Sequence, residues 1–299
     1  MREGLEFVVA WLVLKTLGAL PRPAARAAGA ALARVIYWLH APLRRTALVN
    51  LRIAFPEWTD AQRRRVLRGF VRQMGWQAAE FAHFPRYTPQ NVDRVIQIDG
   101  LGNFLAGHQR GKGVLYLTGH MGAWEMAPMR QALQGYPLHF LVRRIPNRRV
   151  EELINRYRSV HGNTPVDKKE SARVIFQVLR RGGAVGILID LNTLPEEGVF
   201  VDFFGVPACT TTGLARIALR TEAAVVPVYV FWEPALRKYH LRFEPPLDVV
   251  RTGDEEADVV TNTARFTKVI EGFARRFPDQ WLWVHKRWKT RPPGASELY

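Results

Sequence analysis

The tightest constraint on the fold is a set of short apolar runs separated by helix-like segments. Gly113–Thr118, Ala184–Ile189 and Ala224–Trp232 carry hardly a polar residue. A strand with one wet face alternates polar and apolar side chains, whereas a continuous apolar run is what a strand needs when helices cover both faces of its sheet. Val95–Ile98, Leu138–Val142, Tyr239–Phe243 and Trp281–Val284 read as further strands. Helical patterns fall at Thr59–Phe84, Arg148–His161, Glu170–Arg181, Thr212–Thr221 and Asp254–Phe277. Thr59 and Asp60 suit a helix start, and Pro85 stops the same helix. This alternation specifies an α/β fold with a mixed, mainly parallel sheet flanked by helices.

The N-terminus is different in kind. Leu5–Leu20 is nearly continuous apolar sequence, and after Pro21-Arg22-Pro23 an Ala-rich run extends from Ala24 to Leu39. As a helix the first run spans roughly 24 Å, short of the ~30 Å hydrocarbon core. Glu6 and Lys15 fall about 180° apart around such a helix, so no single polar face emerges and cover by lipid or protein is expected all round. The segment reads as a membrane anchor or re-entrant hairpin; a buried helix and a secretory signal are the alternatives. Arg22, Arg26, Arg34, Arg44 and Arg45 place the chain beyond them on the cytoplasmic side. The expected organisation is an N-terminal hydrophobic helical region over residues 1–45 and a catalytic domain over 46–299.

Charge narrows the partners. Among 299 residues, 43 Lys and Arg against 27 Asp and Glu give a net charge of +16. Nucleic acid, a phospholipid surface, an acidic carrier protein or a phosphorylated substrate would each answer that charge. The basic residues are dispersed over many segments, and no aromatic-interleaved basic strand or recognition helix appears, which argues against nucleic acid. The single cysteine, Cys209, excludes an intrachain disulfide and a cysteine-based zinc site. It has no base nearby in sequence and reads as a small packing residue.

The chemistry concentrates in segment 111–125, which ends Thr118-Gly119-His120-Met121-Gly122-Ala123-Trp124-Glu125. An apolar strand here runs into a glycine-flanked histidine with a glutamate five positions on. Residues five apart on a continuous helix point about 140° apart, so His120 and Glu125 meet only if the chain turns between them. Gly119 and Gly122 permit such a turn. Glu125 in the first turn of the next helix would then hold one imidazole nitrogen and leave the other as general base. The alternative is a turn histidine beside a solvated glutamate. A metal site is not expected, because one His and one Glu make a poor ligand set and no other histidine has ligand spacing.

Four blocks carry a resemblance: Asn50–Pro56, 111–125, Gly198–Ala208 continuing to Thr212-Gly213, and Gln280–Lys289. With the hydrophobic N-terminus they make the sequence similar to the bacterial lauroyl/myristoyl acyltransferases of lipid A biosynthesis. These are a branch of the lysophospholipid acyltransferases that also includes phosphatidylinositol mannoside acyltransferases. The resemblance implies transfer of a fatty acyl group from acyl carrier protein or coenzyme A to a hydroxyl of a membrane glycolipid, at the cytoplasmic face of the inner membrane. It implies His120 as the base and Glu125 as its orienting partner, with no acyl-enzyme and no cofactor. A lysophospholipid, an aminolipid or a phosphatidylinositol mannoside are alternative acceptors.

The same resemblance nominates substrate-binding residues. Arg143 matches an arginine of a Tyr-Arg-Pro-like segment. Asp190 matches the first residue of an Asp-Gln pair whose glutamine is absent here, and Gly122 lies within the histidine motif. Asp202 stands where many lipid A enzymes have Pro and the mannoside enzymes have Asp. Phe203, Phe204 and Val206 read either as an acyl groove or as core. The Gln280–Lys289 block reads either as an interfacial aromatic and basic patch or as a last core strand with a solvated tail.

Overall fold

A computed structural model describes residues 2–168 and 171–299. Four helices come first: α1 (Arg2–Ala19), α2 (Arg22–Leu39), α3 (Ala41–Ala54) and α4 (Asp60–Ala82). Then follow β1 (Ile96–Asp99), α5 (Leu101–Gln109), β2 (Val114–Thr118), α6 (Met126–Ala132), β3 (Leu138–Val142), α7 (Arg148–Arg158) and β4 (Thr164–Asp167). After α8 (Ser171–Arg180) and β5 (Ala184–Leu188) comes a hairpin of β6 (Gly198–Phe203) and β7 (Val206–Thr211). The chain ends through α9 (Gly213–Arg220), β8 (Ala224–Glu233), β9 (Lys238–Phe243) and α10 (Glu255–Arg276). The expected start of α8 at Glu170 lies outside the described residues.

Seven strands form one sheet in the order β1-β9-β8-β2-β5-β3-β4. All neighbours run parallel except β8 and β9. This is the mixed, mainly parallel α/β sheet that the apolar runs specify. Because successive strand residues face opposite ways, β2 sends Leu115 and Leu117 into one core with Phe70 of α4, Ile175 of α8, Leu214 of α9 and Phe266 of α10. It sends Val114 and Tyr116 into the other, with Phe104 of α5, Met129 of α6, Leu153 of α7 and Leu17 of α1. The α4 start is capped as the sequence specifies, with Thr59 and Gln62 forming a reciprocal capping box.

One expectation is corrected. Trp281–Val284 is not a strand; its only ladder contact is an isolated bridge from Trp281 to Met121. Its indoles are fully buried as props beneath the site rather than as members of the sheet. Protein covers α1 on one side. Leu14 and Leu17 are buried, whereas Leu5, Val8, Val9 and Leu12 are exposed. Among the described residues no helix is long and apolar enough to cross a membrane.

The N-terminal helices are joined to the sheet by more than apolar packing. The Arg22 Nε donates to the buried Glu80 carboxylate at 2.9 Å. The Arg26 guanidinium is stacked 3.6 Å from the Trp76 ring and 4.1 Å from that of Trp232 on β8. Also, α3 runs without a break through residue 45, where the sequence suggested a boundary.

Helices α2 and α4 cross backbone to backbone at Gly29 and Gly75, and a Cβ on Gly75 would stand 2.3 Å from the Gly29 carbonyl oxygen. Gly75→Ala is therefore expected to destabilise the protein by about 1–3 kcal/mol. Gly272→Ala, in α10 with nothing within 4 Å of the new methyl, should stabilise it by about 0.5–1 kcal/mol. Urea denaturation of the two variants tests the opposite signs.

Candidate active site

The site is set by strand register. β2 and β5 are adjacent and parallel, with Thr118 opposite Leu188. His120 and Asp190 each lie two residues further on, so equal offsets past two paired strands bring them together at the carboxyl edge of the sheet. Open α/β sheets bind their ligands at this edge. The close approach needs Gly119, because a Cβ there would stand 3.0 Å from the Asp190 carboxyl carbon.

Asp190 is fully buried and accepts three hydrogen bonds. His120 Nδ1 lies 2.8 Å from Oδ1, while Oδ2 accepts the His120 backbone N–H at 2.8 Å and the Trp281 indole N–H at 2.9 Å. Burial acts to raise the Asp190 pKa, but His120 and these donors outweigh it and hold the carboxyl below the ordinary carboxylate value. An ionised Asp190 accepts the proton carried on His120 Nδ1. The ring's Nε2 is then the nitrogen with a lone pair for the cavity that His120 lines.

That cavity holds about 580 Å³. Tyr116, Leu138, Phe140, Gly186, Leu188 and Val228 give it an apolar floor, and Arg143, with an exposed side chain, also lines it. His285 reaches the same space. Its Nε2 accepts the Asn192 backbone N–H at 3.0 Å. Burial is the chief cause that lowers its pKa to about 4, with His120, Arg287 and Arg143 adding to the effect. An oriented base beside a deep apolar cavity, with cationic groups around it, suits deprotonation of a hydroxyl next to a long hydrocarbon substituent.

Residues 2–290 match the family model described as bacterial lipid A biosynthesis acyltransferase. The chain belongs to that family. It is 27% identical over 299 residues to the lipid A biosynthesis lauroyltransferase of Escherichia coli (strain K12), covering 97% of this chain and 92% of the relative. To the myristoyltransferase of the same organism it is 26% identical over 256 residues, 86% of this chain and 78% of the relative. To the palmitoleoyltransferase it is 26% identical over 251 residues, 84% and 80% respectively.

In this acyltransferase the expected contact between His120 and Glu125 is not formed. Glu125 is the residue just before α6, and its carboxylate accepts from Arg158 of α7, with Nε at 3.1 Å from Oε2. The His120 ring is turned to Asp190 instead. Both Glu125 and Arg158 line the cavity, so their ion pair forms part of its wall. Gly122 serves the backbone. Its φ is +55°, a Cβ would stand 2.2 Å from the Val230 carbonyl oxygen, and its N–H donates to the Gln280 carbonyl at 2.7 Å. With that amide committed, Gly122 shapes the turn. Asp202 does not line the cavity; strand alternation in β6 leaves it exposed between buried Val201 and Phe203. Phe203 and Phe204 are core, at 0% and 6% exposure. Cys209 is buried, and burial raises its thiol pKa, the reverse of what a nucleophile needs.

Sequence reasoning missed how the C-terminal block serves the site. Trp281 donates to Asp190. Arg287 is fully buried, donating to the Cys209 carbonyl at 2.8 Å and to the Thr210 hydroxyl. Burial lowers its pKa to about 10, so it remains charged at neutral pH. The signal was in the string Gln280–Lys289, whose aromatic and basic residues alternate too closely for a solvated tail.

His285 makes stability pH-dependent. Its folded pKa lies below the ordinary histidine value, so the unfolded chain binds the proton first as pH falls. The stabilisation is complete above about 6.5 and is lost progressively towards about 4. The thermal midpoint should drop across this window, and His285→Gln should make the drop shallower. An unchanged slope in the variant would place the titration elsewhere.

Proposed function

We propose that this enzyme transfers a fatty acyl group from a thioester, on acyl carrier protein or coenzyme A, to a hydroxyl of a membrane glycolipid that is a lipid A precursor. The observation that carries the reading is the Asp190-anchored His120 at the mouth of the apolar cavity. Family membership and relatives named as lipid A lauroyl-, myristoyl- and palmitoleoyltransferases support it.

His120 Nε2 takes the proton of the acceptor hydroxyl as that oxygen attacks the thioester carbonyl. The tetrahedral intermediate collapses by breaking the C–S bond, and the leaving thiolate recovers the proton from the His120 imidazolium. The ester and the free thiol are the products, and no acyl-enzyme forms. Asp190 keeps the ring in the productive tautomer and offsets the imidazolium charge, the division of labour known from serine hydrolases, with the substrate supplying the nucleophile. Arg143, exposed and without an ion-pair partner among the described residues, binds acceptor phosphate or the carrier's phosphopantetheine through its guanidinium fork. Glu125 acts through Arg158, holding the wall against which the acyl chain lies.

The enzyme works at the cytoplasmic face of the inner membrane. The exposed faces of α1 and α2, with Leu5, Val8, Leu12, Val35, Ile36 and Trp38, lie on the bilayer, keeping the cavity within reach of lipid without a spanning helix.

Substitutions at the site test the reading. Asp190→Asn should lower kcat by about 10³-fold or more through loss of the tautomer lock, and His120→Ala by at least as much, both with folded protein by circular dichroism. Glu125→Gln should cost less than Asp190→Asn. The reverse order would restore Glu125 as the partner of His120. Gly186→Leu would place a side chain on the cavity floor, where a Cβ already lies 3.2 Å from Leu138 and 3.4 Å from Phe140. It should shift preference toward shorter acyl donors in a competition assay read by mass spectrometry. Lipids from a deletion strain should accumulate a lipid A species lacking one acyl chain; a normal lipid A profile with an altered phospholipid or aminolipid would overturn the proposed acceptor.

A further inference from the structure

A second cavity, of about 520 Å³, shares no residue with the catalytic one and lies between α2 and α4. Arg34 of α2 and Arg65, Arg68 and Arg72 of α4 line it. The α4 arginines are spaced by three and four, which puts them on one helix face. All four are exposed, and no ion pair or side-chain hydrogen bond engages their guanidinium groups among the described residues. The only acid lining the cavity is Asp279, which is packed against Gly69, where a Cβ would stand 2.8 Å from the Asp279 Cβ. Burial chiefly raises its carboxyl pKa, against Arg72. Four positive charges thus face at most one negative charge.

Like charges gathered in this way repel unless an anion joins them, and guanidinium forks match phosphate oxygens in geometry. The surroundings indicate where that anion comes from. Trp38, 72% exposed, lies one helical turn from Arg34 on the same side of α2. Leu32, Val35 and Leu39 continue the exposed apolar face. An apolar face rimmed by cations is the pattern of a surface that enters the acyl region of a bilayer while its edge stays level with the head groups.

We propose that Arg34, Arg65, Arg68 and Arg72 form a binding site for the phosphate head group of an anionic phospholipid, at the edge of the apolar face of α2. The site rests on the reading that α1 and α2 lie on the bilayer, and adds to it a fixed place for a lipid phosphate apart from the catalytic cavity.

Vesicle binding by the full chain tests it, with phosphatidylcholine alone and with one-third phosphatidylglycerol. Phosphatidylglycerol should tighten wild-type binding by at least about tenfold. R65Q/R68Q/R72Q should lose most of that gain, keep its binding to phosphatidylcholine, and acylate a detergent-dispersed acceptor at the wild-type rate. R173Q/R180Q/R181Q, with the same charge removed from α8 and its end, should keep the gain. Equal loss in both variants would show diffuse charge attraction and overturn the site, as would absence of any gain in the wild type. Displacement from the anionic vesicles by inorganic phosphate, at an ionic strength where chloride has no effect, would overturn the lipid assignment in favour of a free ion. Loss of acyl carrier protein binding by the α4 variant with its lipid gain intact would overturn it in favour of the carrier. Failure to bind either vesicle would instead remove the bilayer reading of α1 and α2 itself.

Discussion

The Asp190 carboxylate is the interaction on which the site depends. It is buried where no water reaches it, and a bare carboxylate there would be strongly destabilised. Three donors remove that cost, and they come from distant parts of the chain: the His120 ring and backbone after β2, and the Trp281 indole from the C-terminal block. Each donor has its own supports. Gly119 lets the carboxyl approach the turn, and the Gly122 amide ties that turn to Gln280. Gln280 in turn makes two hydrogen bonds to the Trp232 backbone on β8. The His120–Asp190 pair, a buried indole and the centre of the sheet are therefore one hydrogen-bonded unit.

The same logic joins the N-terminal helices to the sheet. Glu80 is as buried as Asp190 and is satisfied by Arg22 and Tyr87, while Arg26 beside it fills the space between Trp76 and Trp232. Removing one member of such a group strands a charge in the interior, which is costly even where the complete group adds little net stability. The exposed apolar faces of α1 and α2 are thus carried on a base firmly connected to the strand next to β2. On the proposed reading, a surface that lies on lipid and a base that takes a proton from a lipid hydroxyl must keep a fixed relation, and these buried ions would supply it.

Much of the fold was legible in the residues. Unbroken apolar runs fixed β2, β5 and β8, and the capping residues Thr59 and Asp60 fixed the start of α4. The parallel sheet followed from the alternation. Trp281–Val284 defeated that reading because four alternating large residues look alike whether they form a strand or plug the base of a site. Only the partners, Asp190 for Trp281 and the Pro278 carbonyl for Trp283, distinguish the two. His120 was legible from its position at the end of an apolar strand between glycines. Its partner was not, because five residues of separation along the chain carry more visible weight than two strands whose pairing is unknown. Once Thr118 stands opposite Leu188, Asp190 becomes the natural neighbour of His120, and Glu125 is free to meet Arg158. Register is a property of pairing between distant segments, and no local pattern contains it.

The charge of the chain also resolves into places. Some cations are internal supports: Arg26 between two indoles, Arg287 under the β6–β7 hairpin, Arg158 on Glu125. Their charge is used within the fold and says little about partners. Others are exposed and outside any ion pair among the described residues; they include Arg143 at the cavity beside His120, the four arginines between α2 and α4, of which Arg72 also lies 5.1 Å from the Trp76 ring, and a further group on α8. Arg143 lines the cavity that His120 also lines; on the proposed reading an anion enters and leaves there with each turnover, and a single exposed guanidinium would bind it without trapping it. The group between α2 and α4 concentrates four guanidiniums on two helices, an arrangement suited to an anion that stays. Burial and spacing thereby divide a net charge of +16 into internal supports and exposed groups at distinct places, which a composition alone cannot separate.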